Sequence, residues 1–78
     1  MFKNKNADGS FNLCGAKIMR LRKERGLSQR ALADKLQLEG MDLNKNAIQQ
    51  IECGRRFVTD IELRAFSHLF NVKMDDLV

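Results

Sequence analysis

The sequence predicts an all-α domain, a compact bundle of five short helices, and three observations carry that expectation. The 78 residues are 44% apolar with no proline and five glycines, a composition that suits close-packed helices better than a loop-rich or disordered chain. Apolar residues recur three and four apart, as at Leu32 and Leu36 or Leu63, Phe66 and Phe70, the spacing that lines one helix face. Helix start and stop residues bracket those runs, with Ser28, Asn44 and Thr59 before them and Gly26, Gly54 and Asn71 after.

Residues 1–11 mix Asn, Lys, Gly and Ser around two phenylalanines without a period. They read as a flexible N-terminal tail, leaving 12–78 as the folded domain. From Asn12, "NLCGAKIMRLRKERG" sets Leu13, Ile18 and Leu21 among cations, a first amphipathic helix that stops at Gly26 with Arg25 near its negative end. "LSQRALADKL" is a second, capped by Ser28, with small Ala33 allowing a neighbouring helix to approach closely. "QLEGMDL" (37–43) breaks the period at Gly40 and reads as an extended turn in which Met41 and Leu43 either pack inward or form a contact surface.

A third helix spans 45–53, entered through Asn44 and left at Gly54. Thr59 followed by Glu62 is a capping-box pattern opening the fourth, which Asn71 can end in the left-handed conformation. "VKMDDLV" forms a short fifth helix with Asp75 and Asp76 in its first turn.

Charge and composition bound the partner. Lys and Arg exceed Asp and Glu for a net charge of +4, which favours a polyanion because neutralised phosphates release condensed counterions. Cys14, Cys53 and His68 lack metal-ligand spacing, so neither a zinc site nor a cofactor is expected. "MFKNKNADGSF" has no apolar core of a signal peptide, and no run approaches the roughly 20 apolar residues of a membrane span. Reduced thiols in the cytoplasm are the expectation. A single histidine with no Ser/His/Asp or Cys/His order argues against an enzyme, and no small-molecule ligand is evident.

The outward face of the third helix needs a reason. At about 100° per residue Ile48 and Ile51 point one way, while Asn46, Gln49, Gln50 and Cys53 point nearly opposite with Lys45 on the flank. Amides that donate and accept side by side match the edge of adenine in the DNA major groove, and a lysine can donate to guanine. A plain solvated face is the alternative.

In order and spacing, "IMRLRKERGLSQRALADKL", "AIQQIECGRR" and "LRAFSHLFNVKMDDL" resemble the phage-repressor-like (Xre-type) helix-turn-helix family of the lambda and Cro repressors. The resemblance covers most of residues 16 to 77. It implies sequence-specific binding of double-stranded DNA by a transcriptional regulator of repressor type, with the third helix in the major groove. Lys45, Asn46 and Gln50 match the family's base-contacting positions, and Gln49 points the same way. Gln29 matches a phosphate-holding position at a helix start, and Arg55 and Arg56 follow the recognition helix where the family grips the backbone. The start of the fourth helix at Thr59 and Asp60 meets another phosphate in the family, with the Asp60 carboxylate opposing it. Arg22 and Glu52 match a structural ion pair that bridges the first helix to the third. A homodimer on two half-sites is implied as well, and the apolar C-terminal edge of Met74, Leu77 and Val78 is the expected contact. The competing function is a protein-interaction module, such as an antitoxin or anti-repressor partner, favoured if Met41 and Leu43 are exposed.

Overall fold

The computed structural model describes residues 5–78, which fold as α1 (Gly15–Glu24), α2 (Gln29–Leu38), α3 (Lys45–Glu52) and α4 (Asp60–Phe70), closed by a 3-10 turn at Met74–Leu77. No strand occurs among the described residues. The fifth helix expected from the sequence is thus only this single tight turn. Lys73 supplies no side-chain cap there, and the Asp76 carboxylate instead accepts the Lys73 backbone N–H at 3.2 Å.

Local capping explains the other boundaries. The Ser28 hydroxyl accepts the Ala31 N–H at 3.0 Å and the Asn44 side chain accepts the Ala47 N–H at 2.8 Å, each satisfying a donor that a helix start leaves open. At α4 the reciprocal pair is complete: Thr59 Oγ1 accepts from Glu62 N and Glu62 Oε1 accepts from Thr59 N, both at 3.1 Å. Asn71, at φ 56°, ends α4 in the left-handed region.

The core is built where α1, α2, α3 and α4 meet. Ile18, Leu32, Leu36, Ile48, Ile51, Phe66, Phe70 and Leu77 are fully buried. Truncating one of these to alanine costs about 2–5 kcal/mol. Arg25, at the end of α1, lies over the Phe70 ring and donates to the Phe70 carbonyl, so it ties the C-terminal ends of α1 and α4 together.

Four expectations change. α1 begins at Gly15, leaving Leu13 outside it and exposed, and buried Cys14 occupies the core position instead. α2 continues through Gln37 and Leu38 because both point outward and need no core, so the connection to α3 shrinks to Glu39–Asn44. Leu77 is wholly buried and cannot belong to an exposed dimer edge, although Val78 is 49% exposed. Where a tail was expected through residue 11, the chain from Asn6 is tied down: Asn6 donates to Ser10 Oγ and the Asn12 carbonyl, and Phe11 N donates to the Gly54 carbonyl at 2.8 Å. Lys5 is exposed, 6.0 Å from the Phe11 ring centroid.

Candidate nucleic-acid interface

α3 is held on its inner side before it can present anything outward. Ile48 and Ile51 are fully buried, and α3 packs against both α1 and α2. Its C-terminal turn meets the start of α1 so closely that a side chain at Gly15 would strike the Ile51 carbonyl oxygen. Only glycine fits that crossing, a constraint that no turn or φ requirement announces.

Electrostatics locks the same end. Arg22 Nε and Nη2 donate to Glu52 Oε2 and Oε1 at 2.6 and 3.0 Å, while Nη1 donates to the Leu27 carbonyl at 2.8 Å. Both side chains are buried, so the bidentate pair operates in a low dielectric with its donors and acceptors satisfied. Hydrogen bonding to Glu52 outweighs burial and holds the Arg22 guanidinium above its ordinary value. Glu52 Oε1 also accepts from Gln29 Nε2 at 3.1 Å. The start of α2, the end of α3 and the last turn of α1 therefore share one carboxylate.

With the inner side fixed, Lys45, Asn46 and Gln49 are exposed on the outer side of α3, Gln50 is half-buried and Cys53 is exposed at the end. The four base-contacting candidates thus lie on one short helix. Lys45 also borders a shallow groove beside α2 that contains Arg30, Asp34 and Asp42. Arg30 was not singled out by the sequence reading; it follows Gln29 in the first turn of α2 and is exposed. The neighbouring carboxylates temper the positive charge there.

The backbone-contacting candidates separate. Gln29 is half-buried and already bonded to Glu52, which leaves the second hydrogen of its amide beside the unpaired N–H groups of the α2 start. Arg55 is exposed, and its side chain has no partner among the described residues. Arg56 differs: Nη1 and Nη2 donate to Glu62 Oε1 and Oε2 at 2.9 and 3.1 Å, and Nη1 donates again to the Phe57 carbonyl. Its charge is paired within the fold, so Arg55 and Arg56, both expected to contact the DNA backbone, stand in different settings. Burial pushes the Glu62 carboxyl up, but hydrogen bonds from Arg56 and Thr59 more than offset it and hold the group below its ordinary value.

Four other residues find plain settings. Leu43 is buried and Met41 packs against the core, which removes the exposed loop surface that favoured a protein-interaction module. His68 is exposed on α4, 3.2 Å from Glu39 Oε2. The Cys53 thiol donates weakly to the Gln50 carbonyl. Among the described residues no cluster of three His, Cys, Asp or Glu side chains could hold a metal ion, and no helix is long and apolar enough to cross a membrane.

Asn12 escaped the sequence reading. Its Nδ2 donates to the carbonyls of Ile51 and Arg56 at 3.0 and 2.8 Å, and its Oδ1 accepts the Gly15 N–H at 2.8 Å. Only the last of these, three residues along the chain, is a local pattern that inspection could have found.

No curated protein and no solved structure matches the chain. A family model described as Helix-turn-helix does match, over residues 18–77, from the middle of α1 through the closing turn. That span takes in the linked α2–α3 pair, both caps and the outward amide face, and the model represents a family of DNA-binding domains. By this match and this architecture, the chain belongs to the Xre/lambda-repressor-like helix-turn-helix family.

Proposed function

We propose that the protein is a sequence-specific, double-stranded DNA-binding regulator of phage-repressor type, with α3 in the major groove. The observation that carries this reading is the outer side of α3, where Lys45, Asn46 and Gln49 are exposed on a helix that is immobilised from within by Ile48, Ile51 and the Arg22–Glu52 pair. Solvation alone needs no such fixed presentation, whereas bidentate hydrogen bonding to a base edge does. Asn46 and Gln50 read adenine edges, Lys45 donates to guanine, and Gln49 reaches a neighbouring base or sugar. Phosphates are held by Arg55 and by the α2 start, where the free N–H groups and the Gln29 amide converge. Arg56 contributes by shaping the loop rather than by its charge. Two copies bind adjacent half-sites about 34–36 Å apart, one turn of the duplex, because one recognition helix covers only a few base pairs.

Selection of bound sites from random duplexes tests the proposal directly. A recovered motif with two-fold symmetry is expected, and its affinity should fall steeply as salt rises. Failure to enrich any sequence, with no retention of duplex at low salt, would refute DNA binding; enrichment without a motif would refute base reading alone.

A further inference from the structure

The recognition helix and the loop after it carry the proposed DNA contacts; α3 holds only the first turn of that loop, where the Gly54 and Arg55 N–H groups donate to the Ile51 and Gln50 carbonyls at 3.0 and 2.9 Å. Beyond that turn the Arg56–Glu62 pair holds the loop to α4, and a second set of contacts comes from the other end of the chain. Asn12 Nδ2 bridges the carbonyl of Ile51, in the last turn of α3, and that of Arg56, on the far side of Arg55. Phe11 N holds the intervening Gly54 carbonyl, and the Phe11 ring lies 5.0 Å from that of Phe57. Gly54, at φ 78°, has no room for a side chain, since a Cβ there would come within 2.8 Å of Ser10 Cβ. Residues 10–12 thus contact the chain on both sides of Arg55.

Resting on the DNA-binding reading, we infer that Asn12 is a positioning residue for that activity, setting the angle at which Arg55 leaves the recognition helix and meets a phosphate. One amide does two separable jobs. Its oxygen caps the start of α1 through Gly15, and its two N–H groups clamp the exit of α3. Aspartate keeps the first job and abolishes the second, because it presents an oxygen to the Ile51 and Arg56 carbonyls in place of two donors. The clamp leaves the Arg22–Glu52 pair and the α3 reading face untouched, so its loss acts on phosphate contact and not on base choice.

The test compares wild type, Asn12→Asp, Arg55→Ala and the double variant, with Asn12→Ala as a second replacement that has no side-chain donor. Amide hydrogen exchange without DNA reports on the clamp itself: Phe11, whose N–H is held by the Gly54 carbonyl, should lose protection in both Asn12 variants while the α2 and α4 cores keep theirs. On duplex carrying the selected motif, Asn12→Asp should weaken binding about tenfold, the size of one charge-assisted hydrogen bond, and flatten the salt slope by about one unit. Adding Arg55→Ala to it should cause little further loss, because both changes remove the same contact. Base preference should stay as in wild type. Wild-type affinity and slope in Asn12→Asp, or full additivity with Arg55→Ala, would overturn the positioning role while DNA binding stands. A wild type that retains no duplex sinks the DNA-binding reading itself, whatever the exchange pattern shows.

Discussion

Replacing Glu52 with alanine gives the sharpest separation between what supports the recognition helix and what reads DNA. The carboxylate accepts two hydrogen bonds from Arg22 and one from Gln29, and both members of the ion pair are buried. Its removal leaves the Arg22 guanidinium inside the fold with only the Leu27 carbonyl as partner. Breaking a buried pair in this way costs about 3–5 kcal/mol. A domain of this size has on the order of 4–12 kcal/mol in all, and each kcal/mol moves the midpoint by about 4–8 °C. Glu52→Ala should therefore melt roughly 12–40 °C below wild type. Arg22→Met combined with Glu52→Leu should recover much of that loss, since an apolar pair of similar volume is often nearly neutral. Circular dichroism melts of the variants, followed by site selection at a temperature where all are folded, make the comparison. A Glu52→Ala chain that melts with wild type would refute the stability argument. A changed base preference with a native midpoint would show that Glu52 belongs to the reading surface instead.

Four further outcomes are expected. Asn46→Ala and Gln50→Ala should each lose about 1–3 kcal/mol on the selected motif and little on random duplex; equal losses on both would remove them from base reading. Arg55→Ala should flatten the salt slope by about one unit, whereas Arg56→Ala should lower the melting point and leave the slope alone, because Glu62 already neutralises its charge; a flattened slope in Arg56→Ala contradicts that assignment. Glu62 is held below its ordinary value of 4.5, so it contributes stability above that pH that is lost as pH falls through the lowered folded value. The urea midpoint of wild type should consequently decline on acidification below about pH 4.5 more steeply than that of Glu62→Gln, and parallel profiles would exclude the linkage. In gel-shift titrations a palindrome should bind two proteins more tightly than a single half-site binds one, and equal affinity with a one-protein complex on both would refute dimeric binding.

Legibility followed distance along the chain. Ser28, Asn44, Thr59 with Glu62, and Asn71 could be recognised because each cap acts within about one helical turn of its own residue. The outward amides of α3 could be placed by the same token, since two buried isoleucines three residues apart fix the rotation of a helix. Arg22 and Glu52 were singled out only through the family resemblance, for they stand 30 residues apart. The pairing of Arg56 was hidden even at short range: the sequence shows a basic loop and a capping glutamate, but not that one carboxylate accepts from the Thr59 N–H and from both ends of that guanidinium.

By itself, then, the sequence determined that this chain is helical, which residues cap α2, α3 and α4, and which side of the third helix faces water. Those properties rest on backbone hydrogen bonds and periodicity within a few residues. The tertiary structure alone decided that Leu77 is core rather than edge, that Met41 and Leu43 turn inward, that Gly15 is a crossing point, and that Asn12 reaches the Arg56 carbonyl 44 residues away. Each depends on which surfaces meet when helices pack, and close packing of remote segments leaves no periodic trace in the chain.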